Sequence, residues 1–286
     1  LTVNAAQTIS RALHRGIHFL TGSVPLPALE ARVLLEFATG LEHTALLRDS
    51  ERTLSPDEAQ RYDDALERRR CGEPVAYITG EREFWSLPLK VTEDTLIPRA
   101  DTELLVEQAL THIPADVDWC IADLGTGSGA VALAIAGERP RCKIIATDTS
   151  IEALDVAKVN ADRLQIDNID FRYGSWFDPI DNGECKVVVS NPPYVCSDDP
   201  HLESGDVAHE PRHALVAGAD GMDDIRTIIS GATLCLARGG WLLLEHGFDQ
   251  GGPVREELRQ ASFREIGSLR DLAGLERVTQ ACRPGQ

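Results

Sequence analysis

The sequence predicts an α/β chain in which a parallel sheet carries helices on both faces, preceded by a helical bundle and a β-hairpin connector. Three observations carry this expectation. From about residue 101 onward, short apolar runs alternate with helical stretches. A glycine loop, Gly125-Thr126-Gly127-Ser128-Gly129, joins the first of those runs to the helix behind it. Before residue 75, apolar residues recur at helical spacing and no strand pattern interrupts them. The boundaries read as residues 1–75, a helical domain; 76–100, the connector; and 101–286, the α/β domain.

The elements follow in order. Asn4 with Gln7 resembles a capping box, and Ile9, Leu13 and Ile17 continue at four-residue spacing. Leu26, Leu29, Val33, Leu34 and Phe37 form a second stripe that stops at Gly40, and core packing is expected of both stripes. Ser55-Pro56-Asp57-Glu58 combines an N-cap serine, a proline at the first helical position and a glutamate at the third, so a helix starts there and ends near Gly72. Phe84, Trp85, Leu87, Leu89 and Val91 lean toward strand around Pro88. Asp101 or Thr102 can cap a helix that runs through Ile113. Strands are expected at 119–124, 143–147, 169–173, 186–190, 241–245, 263–269 and 277–281, with helices at 131–137, 150–166 and 222–237.

Composition narrows the function. The seven cysteines are scattered and lack C-x-x-C spacing, so neither a disulfide framework nor a metal site is expected, and Cys120 and Cys235 read as small core residues. No apolar run is long enough to span a bilayer, and no leader pattern stands out. A monomer acting in the cytoplasm, with no membrane partner, is expected. The net charge of −18 argues against a nucleic-acid substrate, because phosphate contacts require a basic face. Residues 1–75 hold 9 Lys+Arg and 11 Asp+Glu, so nearly all of the excess lies in the remainder.

The glycine loop has G-x-G-x-G spacing with Asp123 just before it, whereas a dinucleotide site uses G-x-G-x-x-G. A carboxylate there repels pyrophosphate and suits the cationic amino group of methionine, directly or through water. Asp148 ends the second strand, where an acid can accept from ribose hydroxyls. Trp176 follows the third strand; an isolated tryptophan is more often core, but at this edge its ring can lie against an adenine. Phe177 reads as core. Together Asp123, Gly125, Thr126, Gly127, Ser128, Gly129, Asp148 and Trp176 form a candidate S-adenosylmethionine site.

Asn191-Pro192-Pro193-Tyr194 ends the fourth strand. A lone Asn-Pro marks a turn, but two prolines between an amide and an aromatic ring suit methylation of a conjugated nitrogen. The lone pair of such a nitrogen is delocalised, so its NH₂ must be held in line with the methyl donor. Asn191 can accept one N–H through its side-chain oxygen and the Pro192 carbonyl the other. Both bonds strengthen as the nitrogen gains positive character. Tyr194 offers a flat face for a planar group. No strong base is required.

The chain resembles the protein-(glutamine-N5) methyltransferases of the HemK/PrmC family. The resemblance rests on Glu73–Gly80, Glu83-Phe84-Trp85, Leu96–Glu103 with its Ile97-Pro98-Arg99, the glycine loop, Asn191–Tyr194, Glu210-Pro211, Ala217-Gly218, Asp220-Gly221 and Leu244–Gly247. It implies a Rossmann-like class I methyltransferase sheet. It also implies S-adenosyl-L-methionine as methyl donor, with S-adenosyl-L-homocysteine as product, and the Gly-Gly-Gln glutamine of class I peptide-chain release factors as substrate. By the same resemblance the loop, Asp148, Trp176 and Asn191 bind the cofactor, Asn191, Pro192, Pro193 and Tyr194 hold the glutamine, and the helical domain docks the release factor. Ala100 stands where the family usually has proline, and His209 where it has an aromatic. Rival readings are a glutamine methyltransferase of a ribosomal protein, an adenine-N6 methyltransferase and a cofactor-binding scaffold without turnover.

Two features stay open at this level. Residues 195–218 form a long polar stretch carrying Asp198, Asp199, Glu203, Asp206 and Glu210, either a solvated loop or an attractor for a basic segment beside the target glutamine. Glu245 and His246 end a buried strand, and a structural role is expected of both.

Overall fold

The computed structural model describes residues 7–285, and these form two compact units. The first comprises the described residues up to Glu81 together with Glu203–His209; the second comprises Arg82–Leu202 and the described residues from Glu210 on.

The first unit is built on α1 (Ile9–Leu20), α2 (Pro27–Thr39), α3 (His43–Arg48), α4 (Pro56–Arg70) and α5 (Val75–Thr79). The expected Asn4–Gln7 capping box lies partly outside the described residues; Thr8 caps α1, its hydroxyl accepting from the Arg11 backbone N–H. At α4 both halves of the Ser55–Glu58 box are present. The core comprises Ile9, Ala12, Leu20, Ala31, Leu34, Leu35, Ala38, Tyr62 and Leu66 with their neighbours.

Of the stripe expected to bury α2, Leu34 is in the core and Val33 is half-buried, but the rest is not buried. Leu26, Leu29 and Phe37 are 58%, 45% and 42% exposed, while Ala31, Leu34, Leu35 and Ala38 are buried. Helix α2 is apolar on two faces, so periodicity alone could not choose between them. The small residues Ala31 and Ala38 allow α1 and α4 to approach, and that face turned inward.

In the second unit, β1 (Glu81–Phe84) and β2 (Leu87–Lys90) form a two-stranded ribbon. Trp85 and Ser86, both at positive φ, make its turn. A seven-stranded sheet follows in the order β5-β4-β3-β6-β7-β9-β8, from β3 (Cys120–Leu124), β4 (Lys143–Asp148), β5 (Ile169–Tyr173), β6 (Cys185–Ser190), β7 (Leu236–Glu245), β8 (Arg264–Arg270) and β9 (Glu276–Cys282). Strands β3 to β7 pair in parallel, and β9 runs antiparallel between β7 and β8.

Alternate residues of each strand enter opposite layers. Ile121, Ile144 and Val187 pack with α6 (Glu103–His112) and α7 (Ala130–Glu138), joined by Ala161 of α8 (Ile151–Leu164). Ala122, Ile145 and Val188 pack with α9 (Asp223–Cys235) and α10 (Gly251–Gln260). A sheet covered by helices on both faces is the predicted architecture, but it is parallel only from β3 to β7, and β9 makes its far edge antiparallel. Its register brings Leu124, Thr147, Ser190 and Leu244 level, so the chain leaves β3, β4, β6 and β7 at one carboxyl edge.

Candidate active site

A pocket of about 240 Å³ lies along that edge, open to solvent. Its walls include Gly125, Gly127, Asp148, Trp176, Asn191 and Pro193, which brings together residues from four strand ends. Position follows from the fold, since parallel strands converge their loops at this edge.

The glycine loop holds its shape through backbone geometry. Gly125, Gly127 and Gly129 all have positive φ. The backbone N–H groups of Gly125 and Thr126 both donate to Thr147 O at 2.9 Å, and Gly127 N–H donates to Asp148 Oδ2 at 2.9 Å. Asp148 Oδ1 accepts from Ser150 N–H at 2.9 Å, so the carboxylate is held rigid at the pocket wall. Trp176 covers Gly125: a Cβ added at Gly125 would lie 3.2 Å from its ring. Trp176 itself sits at φ 44°, and the Thr147 hydroxyl donates to its carbonyl at 3.0 Å. A tryptophan in the left-handed region is strained, and the ring of this one lines the pocket. Phe177 and Trp176 both pack against the α9 layer, and Phe177 lies against Gly231 of α9.

Several expected contact residues do not reach the pocket. Asp123 is 2% exposed, and its Oδ2 accepts from Thr126 Oγ1 at 2.7 Å and Ala132 N–H at 3.1 Å. Its carboxyl braces the loop from beneath instead of facing a ligand, because position 123 points into a helix-covered face. Burial pushes its pKa up to about 6, Asp148 adds to the shift, and the two bonds oppose it. Thr126 and Ser128 are buried too, and Gly129 lies against Ala157 and Leu133. Asn160, which the sequence reading missed, is fully buried and accepts from Lys90 N–H while donating to Lys90 O and Ser128 O. One amide thus ties the ribbon to the glycine loop.

The tetrapeptide is anchored from three sides. The Ser190 hydroxyl donates to Leu124 O at 2.7 Å, locking the ends of β6 and β3 together. Asn191 Nδ2 donates to Thr102 Oγ1 at 3.1 Å, which leaves Oδ1 as the acceptor on the other side of the amide. Gln250 Nε2 donates to Tyr194 O at 3.0 Å, and Gly247 N–H donates to Gln250 Oε1 at 2.8 Å. Pro192 is buried, and Pro193 reaches the pocket wall. The Tyr194 hydroxyl donates to Glu245 Oε1 at 3.4 Å, and burial with the Glu245 charge raises the phenol pKa. Glu245 is 1% exposed; burial lifts its pKa to about 7, with Asp101 adding and Thr102, Arg277 and Tyr194 opposing.

Thr102 corrects another expectation. It precedes α6 but makes no side-chain cap, because its hydroxyl is turned to Asn191. Nothing local in the sequence distinguishes those uses. His246 does take the expected structural part, with Nδ1 against Gly247 O and Nε2 against Thr279 Oγ1, each at 2.8 Å, and burial lowers its pKa.

The 195–218 stretch is less free than its charge suggests. Three short 3₁₀ turns order it: Pro200–Glu203, Gly205–His209 and Arg212–Ala214. Asp199 bonds His201, Asp206 pairs with Arg69 at 2.8 Å, and the buried Glu210 carboxylate pairs with Arg99 while accepting from Ile97 N–H. Much of the acidity that read as an attractor is neutralised internally. The Ile97-Pro98-Arg99 segment owes its shape to Glu210, and Ala100 begins its 3₁₀ turn without loss of order.

Residues 11–80 match the model of the PrmC N-terminal domain, and residues 100–210 match that of the methyltransferase small domain. The release factor glutamine methyltransferase of Salmonella typhimurium is 47% identical over 268 residues, spanning 93% of this chain and 96% of that protein. The protein of the same name from Pseudomonas aeruginosa is 49% identical over 255 residues, 89% of this chain and 92% of its own. A solved methyltransferase from Pyrococcus furiosus, 14% identical, covers 78% of this chain and 99% of that one with a TM-score of 0.54, and so shares the fold. Identity at this level over nearly the full length of both proteins means that the chain belongs to the family of release factor glutamine methyltransferases.

Proposed function

We propose that this protein transfers a methyl group from S-adenosylmethionine to the side-chain N5 of the Gly-Gly-Gln glutamine in class I peptide-chain release factors, leaving S-adenosylhomocysteine. The observation that carries the reading is the Asn191 amide, fixed by Thr102 at the wall of the glycine-loop pocket with its oxygen left to accept. The pocket suits the donor: Gly127 has no neighbour within 4 Å of where a Cβ would stand, and Asp148 presents a carboxylate for ribose hydroxyls.

S-adenosylmethionine supplies an electrophilic methyl group when bound. The protein's part is positioning. Gly125, Gly127 and Asp148 would hold the donor, and Trp176 would cover its base. Asn191 Oδ1 and the Pro192 carbonyl accept the two N–H bonds of the glutamine amide, directing its nitrogen at the methyl. Pro193 and Tyr194 shape the slot for the planar group. Both hydrogen bonds strengthen as charge develops on nitrogen, so they stabilise the transition state more than the ground state. The proton leaves after transfer.

Labelled methyl donor should mark a release factor and leave its Gln→Ala variant and DNA unmarked. Label on DNA, or equal label on the variant, sinks this reading, and preferential label on a ribosomal protein favours that rival.

The helical unit is the docking element in this proposal, and its exposed apolar side chains support the role. Leu26, Leu29, Phe37 and Leu47 leave a hydrophobic surface beyond what a small bundle needs. Phe37→Asp should raise KM for a full-length release factor about tenfold while a short Gly-Gly-Gln peptide is methylated as before. An unchanged KM for the full-length release factor in Phe37→Asp would remove this face from docking.

A further inference from the structure

We propose that Glu245 is a positioning residue whose carboxylate, acting through the Thr102 hydroxyl, sets which way the Asn191 amide faces. The inference rests on the methyl-transfer reading above and concerns how that site is kept in its productive state.

A hydroxyl has one proton to give and lone pairs to accept with. Thr102 Oγ1 accepts from Asn191 Nδ2, so its own proton points elsewhere. The Glu245 carboxyl lies beside that hydroxyl and is wholly buried. One of its oxygens takes the Tyr194 hydroxyl, and the other, Oε2, has no hydrogen-bond partner among the described residues. A buried carboxylate oxygen left unpaired is costly, and the Thr102 proton is the group that can answer it. Turned toward Glu245, Thr102 can only accept from Asn191. The amide is then forced to present Oδ1 toward the substrate nitrogen. Protonated, the carboxyl becomes a donor. It can then give its proton to Thr102, whose own proton turns to Asn191 and favours the flipped amide. A flipped amide sets NH₂ against NH₂ and holds no substrate nitrogen.

Three other polar groups act on this carboxyl. Asp101, in the turn before α6, disfavours its charge, while Arg277 on β9 and the Tyr194 hydroxyl favour it. Arg277 is itself paired with Asp101 and Asp271, so it offsets the burial only in part. The folded-state midpoint of about 7 lies above the ordinary carboxyl range, so the productive form gains population as pH rises through neutrality. Asp123 titrates nearby at about 6, which makes the Glu245 variant the necessary comparison.

The test uses the full-length enzyme with a release factor as substrate. In the wild type, kcat should rise with a midpoint near 7. In Glu245→Gln it should fall about tenfold at high pH, lose that inflection, and keep its affinity for S-adenosylmethionine by calorimetry. The ¹⁵N-bound side-chain protons of Asn191, assigned by their loss in Asn191→Ala, should shift with the same midpoint in the wild type and not in Glu245→Gln. Thr102→Val should lower kcat about tenfold, and Thr102→Ser should restore most of it. An inflection that survives in Glu245→Gln, or Asn191 signals that ignore pH in the wild type, overturns the proposal. Should Glu245→Gln fail to fold, the Thr102 pair decides. Should the wild type label no release factor, the proposed function fails, and the Asn191 titration still judges this inference.

Discussion

Asn191→Ala lowers kcat for glutamine methylation by about 10²–10³, the loss expected when one preorganised hydrogen-bonding group is removed from a developing charge. In the proposed mechanism the substitution deletes the oxygen that accepts from the substrate nitrogen, and it leaves the Thr102 hydroxyl without its donor. Most of the effect falls on kcat, because the bond strengthens on the way to the transition state. Affinity for S-adenosylmethionine should fall less, since Asn191 is one contributor to a pocket wall that Gly125, Asp148 and Trp176 also form. Single-turnover rates with calorimetric binding separate the two. A loss below about tenfold would remove Asn191 from the role assigned to it.

Gly221→Ala has the second large effect, on stability and activity together. Gly221 has φ +70°, and a Cβ there would lie 2.2 Å from Tyr194 O and 2.9 Å from Tyr194 C. The atoms met are backbone, so no rotamer change relieves the overlap. The same Cβ would press within 2.8 Å of Gln250 Nε2, the donor that holds Tyr194 O. Left-handed backbone costs alanine about 1–2 kcal/mol, and overpacking adds about 1–3 kcal/mol. At about 2–4 °C per kcal/mol, the melting temperature should fall by roughly 5–15 °C. Gly183→Ala is the control: its φ is +71° with nothing within 4 Å of the new Cβ, so it should show the backbone cost alone. Equal melting temperatures for the two variants would mean that the tetrapeptide does not depend on Gly221. Calorimetric melts with kcat on the same samples decide it.

Most of the sheet is readable because its strands are short apolar runs bounded by turn residues, and burial on both faces leaves no other use for Val187-Val188-Val189 or Leu242-Leu243-Leu244, although β7 begins at Leu236, where helix was expected. The glycine loop and the tetrapeptide were readable for another reason. Positive φ at Gly125, Gly127 and Gly129 and the double proline after Asn191 are local requirements written in local residues. Helix α2 matches its expected stripe at Leu34 but not at Leu26, Leu29 and Phe37, because Leu29, Val33 and Phe37 satisfy the helical period as well as Ala31, Leu35 and Ala38 do. Asp123 was misjudged because a carboxylate beside a ligand loop can face the ligand or the loop's own hydroxyl, and Thr126 three residues on supplied the second option.

By itself the sequence determined the parallel part of the sheet, the edge where its loops gather, and the chemistry of the residues delivered there, but not the antiparallel entry of β9. Each of these depends on contacts along the chain or on a residue type that only one backbone shape accepts. Tertiary structure decided the direction in which those residues work. Asn191 is oriented by Thr102, 89 positions earlier, and Tyr194 is held by Glu245, 51 positions later. Hydrogen-bond direction is a property of the pair, and partners that far apart are chosen by packing, which no local pattern records.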